Sequence, residues 1–452
     1  MAQIVRVLVI LLGFPVLALA QEGAIVGSVA DESQAAIPGV TVTATDVATA
    51  RQHVGSTDER GEYRLPSLPS GTYRLQAELV GFTTVIFPNV ELLVGQSRSV
   101  PFVLKVATLE ETVTVTSEAP LVDTQSVQIA GNVDRRQMEE LPVSGRNWME
   151  LSMLVKGMTA NDVGSNRPGV ARDDQFQLNL DGQQITNKVA GTNLFGQPGL
   201  SREAIAEYQI ITNMFDITQG RSLGVQVQAV SRAGTNKTAG TFYGYFRDDK
   251  LNAEDFVVGR VLPFANQQIG GSIGGPVLLN KVHYFATYEY ERQPNTVVLQ
   301  PPFYQSSLSL PTLREHHRMM TRGDFQVSPR DHISARMTTY EDLDPFSFGG
   351  AASTNYPTFA SKLGADNLAL TGTWSRVISP SLVSEVKLSY FHYHWNHTPA
   401  EGVALTPQYQ FPGFSVARGP IIRKSSGRTR RPCGQTSPGT SAHTISSSAA
   451  ST

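Results

Sequence analysis

Few side chains in this chain have the spacing of a reactive site. Gly270-Gly271-Ser272-Ile273-Gly274 matches the G-x-S-x-G pattern, in which a serine nucleophile is lifted on a strand-to-helix turn. That turn needs a helix after it. Here Gly275-Pro276 and a second alternating run come next, so the stretch reads as a glycine-rich strand. A hydrolase built on Ser272 would show esterase activity abolished by Ser272→Ala. His392 and His394 share one face of a strand, with His397 close behind. No carboxylate or cysteine in that stretch completes a ligand set, so a polar rim beside Tyr393 and Trp395 is the better reading. His316-His317 lacks H-E-x-x-H spacing, and neither a phosphate loop nor a paired-carboxylate motif is present. The sequence therefore points to no enzyme, no catalytic residue, no metal site and no cofactor.

A second kind of chemistry needs only backbone. Glu110, Glu111, Thr112, Val113, Thr114, Val115 and Thr116 alternate with period two and have high strand propensity. An extended peptide of this kind can offer its N–H and C=O groups to the open edge of a sheet. The sheet could belong to a partner, or it could be that of the preceding domain, with this stretch as its last strand.

The elements that carry these residues are almost all strands. Net charge is −2, which gives no global pull toward nucleic acid. Charged residues are only 17% of the chain, against about 25% in average soluble proteins, and 39 glycines supply many turns. Residues 1–20 read as a signal peptide: Arg6, the apolar run Val7 to Leu17, then Ala18-Leu19-Ala20 before Gln21. Cys433 is the sole cysteine, so no intrachain disulfide forms. No later stretch is apolar and long enough for a membrane-spanning helix.

Residues 22–105 read as a β-sandwich. Strands are expected at Ile25–Val29, Val40–Thr45, Glu62–Leu65, Tyr73–Ala77 and Val100–Leu104, separated by Pro38-Gly39, Gly61 and Ser70-Gly71. The string IPGVTVTAT…TDERGEYRLPSLPSGTYRLQAELVGF resembles the carboxypeptidase-regulatory-like, or prealbumin-like, domain. That resemblance implies a non-catalytic sandwich, either a carbohydrate-binding module or a structural spacer.

Residues 120–235 are similar to the plug of the Oar-like branch of TonB-dependent receptors. IAGNVDRRQMEELPVSGRNWMELSMLVKGM (129–158) resembles its opening and QFQLNLDGQQITN (175–187) its strand and turn. SREAIAEYQIITNMF (201–215), with Ala204 and Ile205, resembles the next helix and strand of that plug. VQVQAVSRAGTNKTAGTFYGYF (225–246) resembles its last strand running into the first barrel strand. Asp134 is expected to cap a helix from Arg135 to Leu141 that Pro142 ends, and Asp181-Gly182 to make a tight hairpin. Asn161 to Asp173 reads as a loop. Within this resemblance, residues 106–119 are a linker, and Glu110–Thr116 look like the TonB box that engages an inner-membrane energy coupler.

Residues 236–417 show a membrane-barrel pattern on their own terms. Val282, Tyr284, Ala286, Tyr288 and Tyr290 fall on one face, suited to lipid, and His283, Thr287 and Glu289 on the other, suited to a wet lumen. The same alternation sets Met319, Thr321, Gly323, Phe325 and Val327 against Arg322, Asp324 and Gln326. It sets Ile333, Ala335 and Met337 against Ser334, Arg336 and Thr338. Short breaks near 276–281, 328–331 and 379–381 alternate with long ones near 248–264, 293–315 and 341–365, as in outer-membrane barrels. About seven strands are legible, against roughly 22 in a plugged transporter barrel. From about Arg418 the composition turns basic and then Ser/Thr-rich, so residues 418–452 are expected to be a disordered linker or an out-of-frame tail.

The expected fold is mainly β: an N-terminal sandwich, a small α/β plug and an incomplete transmembrane antiparallel barrel. The expected function is TonB-dependent transport at the outer membrane, with the N-terminal domain in the periplasm. The implied partners are the TonB-type coupler, outer-membrane lipid and a carbohydrate or other large solute. The competing reading is a secreted carbohydrate-binding sandwich without transport.

Overall fold

The computed structural model describes residues 23–107, 112–114, 130–143, 146–155, 158, 176–185, 199–212, 225–256, 258–299, 308–347, 361–379, 382–399, 409–411, 414–416 and 441–449. The signal segment 1–20, the loop 161–173 and four residues of the coupling stretch (Glu110, Glu111, Val115, Thr116) lie outside them.

The first eight strands are β1 (Gly23–Asp31), β2 (Thr41–Asp46), β3 (Gln52–Ser56), β4 (Glu62–Leu68), β5 (Gly71–Glu78), β6 (Thr84–Leu92), β7 (Ser97–Ser99) and β8 (Phe102–Leu104). After them comes β9 (Thr112–Thr114). One sheet has the order β4-β1-β7, with β8 also on β1, and the other the order β3-β2-β5-β6-β9. Alternation puts Val42 and Ala44 of β2, and Tyr73, Leu75 and Ala77 of β5, into one core that, among the described residues, is drawn from Ile25 to Leu104. Phe102 sits edge-on to Phe87 at 5.1 Å, and Tyr63 donates from its hydroxyl to Val100 O at 2.6 Å. Gly27 lets β1 pass against Val100 and the Tyr63 ring, where a Cβ would collide.

Strands β3, β6 and β7 are not among those the alternation predicts. In β6 the reason is visible: Tyr73 pairs with Val90 but Leu75 with Phe87, so Pro88-Asn89 sit in a bulge that breaks the period of two.

The second unit contains β10 (Ala130–Val133), helix α1 (Arg135–Glu140), β11 (Phe176–Leu180), β12 (Gln183–Gln184), β13 (Ile205–Ile211) and β14 (Val225–Ser231). Its sheet order is β10-β13-β14-β11-β12, with β11 parallel to β14. The start of α1 is a capping box. Asp134 accepts from Gln137 N–H, and the Gln137 side chain accepts from Asp134 N–H. Asp181 and Gly182 both take positive φ, 48° and 77°, as a two-residue hairpin between β11 and β12 requires. Met138, Trp148, Leu178, Leu180, Tyr208 and Val227 form the core, with Tyr208 donating to Trp148 O at 2.7 Å.

The largest sheet is an antiparallel meander of β15 (Ala239–Asp248), β16 (Ala265–Leu278), β17 (Val282–Leu299), β18 (Leu308–Ser328), β19 (Asp331–Ser347), β20 (Ser361–Ser379) and β21 (Leu382–Pro399). A small hairpin, β22 (Tyr409–Phe411) and β23 (Phe414–Val416), comes next, and β24 (Ser441–Ala449) then pairs with β21. Among the described residues β15 and β24 do not meet, so the barrel is open. The two faces fall as expected: His283, Thr287, Glu289, Asp324, Arg336 and Thr338 are buried, while Tyr288, Phe325, Val327, Ile333, Leu370, Trp374 and Leu388 are exposed.

Three expectations change here. The connections placed at 293–315 and 341–365 are shorter, because β17 and β18 continue their ladder from Arg292↔Glu315 out to Leu299↔Leu308, and β19 and β20 theirs out to Ser347↔Ser361. Those extensions mix apolar and polar residues without a clean period of two, with Pro294, Pro311 and Pro345 among them, which hides them in the sequence. The tail expected to lack strands carries β24, because the free edge of β21 offers a ladder that needs only backbone. The carboxylate missing beside the histidines comes from the neighbouring strand, where Asp366 Oδ1 lies 2.8 Å from His394 Nδ1. No group of three metal-capable side chains occurs among the described residues. Ser272 lies within β16, paired with Thr287 of β17, so it has no strand-to-helix elbow.

Candidate functional site

The second unit packs against the inward face of the large sheet, and the contact between them is mostly charge and hydrogen bond. Among the described residues, one small apolar cluster joins them: Ala204 against Phe285 and Met320. Two networks flank it.

The first centres on Asp181, at the β11–β12 hairpin. Its carboxylate accepts from Ser231 N–H at 2.9 Å and from the Ser231 hydroxyl at 2.7 Å. Two guanidiniums of the sheet wall face it: Arg336 Nε at 3.0 Å, as an ion pair without hydrogen-bond alignment, and Arg322 Nη1 at 3.7 Å. Burial alone would raise the Asp181 pKa. Arg336, Arg322 and the two Ser231 bonds outweigh it and hold the carboxyl below its usual range. Arg322 is also forked onto Asp324, with both bonds at 2.9 Å, and donates to Ser231 O at 3.0 Å. Arg336 donates to Leu180 O, Gln183 Oε1 and Thr371 Oγ1, and Thr371 in turn bonds Gln183. A side chain at Gly182 would run into Lys387 Nζ.

The second network centres on Arg146, in the ELPVSGRN stretch. Its φ of 57° is a left-handed conformation that non-glycine residues adopt at a cost. The side chain lies over the rings of Tyr243 at 4.3 Å and Tyr245 at 4.0 Å. It also reaches Glu203 at 3.5 Å and Glu289 at 3.8 Å. Arg232 pairs with Glu203 at 2.9 Å, Arg318 with Glu289 at 2.7 Å and Glu291 at 2.8 Å, and Tyr243 donates to Glu289 at 2.7 Å.

The sandwich touches this assembly from outside. Val94 N–H donates to Glu207 of β13 at 2.7 Å, Asn132 donates to Val94 O at 3.1 Å, and Asn236 N–H donates to Ala48 O at 2.9 Å. Of the coupling residues named from sequence, Thr112, Val113 and Thr114 form β9, parallel to β6. Sequence reading put Arg322, Arg336 and Glu289 on the lumen face but gave them no partners. The roles of Asp181, Arg146, Arg232 and Glu203 it did not reach. The signal for the wall residues was there: charges at inward positions of otherwise apolar-alternating strands.

Two families match the chain: a carboxypeptidase regulatory-like domain over residues 24–105, and an outer membrane beta barrel domain over 230–305 and 294–448. The second match runs past Arg418, where the barrel pattern was expected to stop. A curated relative, the TonB-dependent transporter Oar of Myxococcus xanthus, is 27% identical over 341 residues, 71% of this chain. The chain is similar to the Oar-type TonB-dependent receptors of the outer membrane. It spans 31% of that relative's length. Similar solved structures include the ferric enterobactin receptor PfeA of Pseudomonas aeruginosa (TM-score 0.44, 9% identity, covering 59% of this chain and 41% of that one). Another is the outer membrane transporter YddB of Escherichia coli (TM-score 0.42, 14% identity, 60% and 40%). In this Oar relative, no helix among the described residues is long and apolar enough to cross a membrane.

Proposed function

We propose that this chain works in TonB-coupled passage of a large solute through an outer-membrane barrel. Residues 1–20 direct export, 22–105 form a periplasmic sandwich, 106–119 a linker with the coupling strand, 120–235 the plug and 236–417 barrel wall. The chain is not a catalyst; its chemistry is the making and breaking of contacts between plug and wall.

The observation that carries this reading is the polar character of the plug–wall contact. A plug that must stay put at rest and yield under load needs contacts that water can replace. Buried apolar area has no such substitute, whereas charged and hydrogen-bonding groups recover much of their energy when a wet lumen solvates them. The Asp181 and Arg146 networks are of that second kind. The coupler would supply the load by pairing with residues 110–116 through strand addition.

A single buried reporter tests this. Ser201 is buried at the plug–wall contact, its Oγ 3.5 Å from Thr287 Oγ1. In a Cys433→Ser background, Ser201→Cys in intact cells should react with a maleimide faster when the coupler is present and the inner membrane energised. Labelling that ignores both coupler and protonophore contradicts the proposal.

A further inference from the structure

The central residues of the coupling stretch are not free in this structure. Strand β9 lies parallel to β6 in the register Thr84↔Thr112, Val85↔Val113 and Ile86↔Thr114. It is the outermost strand of its sheet, so it covers the β6 edge that would otherwise stand open. The chain is led there by two further backbone bonds: Thr83 N–H donates to Lys105 O at 2.8 Å, and Ala107 N–H to Gly81 O at 3.0 Å.

We infer that the β6 edge of the sandwich is the resting dock of the coupling strand, and that the coupler takes the strand from it by exchange. The inference rests on the coupling reading of residues 110–116. Three features support it. The docked strand is already extended, so part of the ordering cost of strand addition is met before the coupler arrives. Among the described residues the ladder has three residue pairs and is parallel, the less stable pairing per residue, which suits a strand that is held without being trapped. A coupler edge that engages all seven residues would pair more of them than the three seen on β6 among the described residues.

The dock is also tied to the plug. From Thr84–Ile86, β6 runs on to Leu92, and the turn beyond it carries Val94. There Val94 N–H donates to Glu207, and Val94 O accepts from Asn132, two plug residues on neighbouring strands. The sandwich thus joins the coupling strand to the plug by a second route beside the linker.

The test uses the full chain in a Cys433→Ser background. Thr84→Cys with Thr112→Cys joins register partners and should cross-link under mild oxidation. Thr84→Cys with Thr114→Cys, two residues out of register, should not. The in-register pair, once oxidised, should lose capture of the coupler's periplasmic domain and regain it on reduction. A cross-linked chain that still captures the coupler overturns exchange, because the coupler would then be adding to the outer edge of β9. Equal cross-linking of the two pairs overturns the dock itself. If the reduced chain and the unsubstituted chain both fail to capture the coupler, the coupling reading falls and exchange falls with it. Register-specific cross-linking in that case would still show the dock as a plain edge strand.

Discussion

Replacing Asp181 by Asn should loosen the second unit from the sheet wall more than any other single change at that contact. The perturbation removes one negative charge and leaves the shape. The introduced amide can still accept from Ser231 with its one oxygen, and Arg322 keeps its fork onto Asp324. Arg336 loses its only carboxylate partner among the described residues and is left with Leu180 O, Gln183 and Thr371, all neutral. Its side chain is 4% exposed and that of Asp181 is 20% exposed, so the orphaned charge is nearly out of water. Breaking a buried pair from one side costs about 3–5 kcal/mol, and the partial exposure of Asp181 brings the expectation to about 2–4 kcal/mol. Denaturant unfolding of the detergent-purified chain, followed by Trp148 fluorescence in the plug core, measures it. Arg336→Met, made alone and with Asp181→Asn, completes a double-mutant cycle. A coupling energy above about 1 kcal/mol supports the network. Asp181→Asn within about 0.5 kcal/mol of the parent, or full additivity, would mean that Asp181 and Arg336 do not hold each other.

Two further outcomes are expected. Glu207 is buried where the sandwich meets the second unit, and burial pushes its carboxyl up to about 7 against the bonds from Ser70 and Val94 N–H. Because the folded pKa is above the unfolded one, this group's contribution is intact below about pH 4.5 and is lost as pH rises to about 7, on the order of 3 kcal/mol in all. Glu207→Gln keeps an acceptor for Val94 and should flatten that part of the pH–stability curve; a curve of unchanged slope between pH 5 and 7 argues against it. Residues 22–105 should fold alone as a soluble all-β unit, since among the described residues their core takes nothing from beyond Leu104. A random-coil circular dichroism spectrum from that fragment would count against this.

Sequence reached far into this fold where its period was clean. The faces of β17 to β19 could be assigned residue by residue, because lipid on one side and a wet lumen on the other impose opposite chemistry on alternate positions. It reached less far where backbone geometry broke the period, as at the Pro88 bulge, or where apolar and polar residues mix without alternating, as in the outer ends of β17 to β20. The Asp181-Gly182 hairpin was legible from turn chemistry, but its role was not. Asp181 meets Arg322 and Arg336 from well over a hundred positions away, and no local pattern encodes that pairing. For residues 110–116 the sequence allowed two readings, partner strand or last strand of the sandwich. The parallel pairing of β9 with β6 gives the second a place without removing the first.

The most direct measurement is capture of the coupler's periplasmic domain by the full chain and by its Val113→Pro variant. Proline removes a backbone donor and cannot continue a ladder through that position. If residues 110–116 couple this chain to an energy source by strand addition, the variant should bind at least about tenfold more weakly, a loss of about 1.4 kcal/mol. Its sandwich should melt as the parent's does. Equal capture by the two proteins would contradict the account.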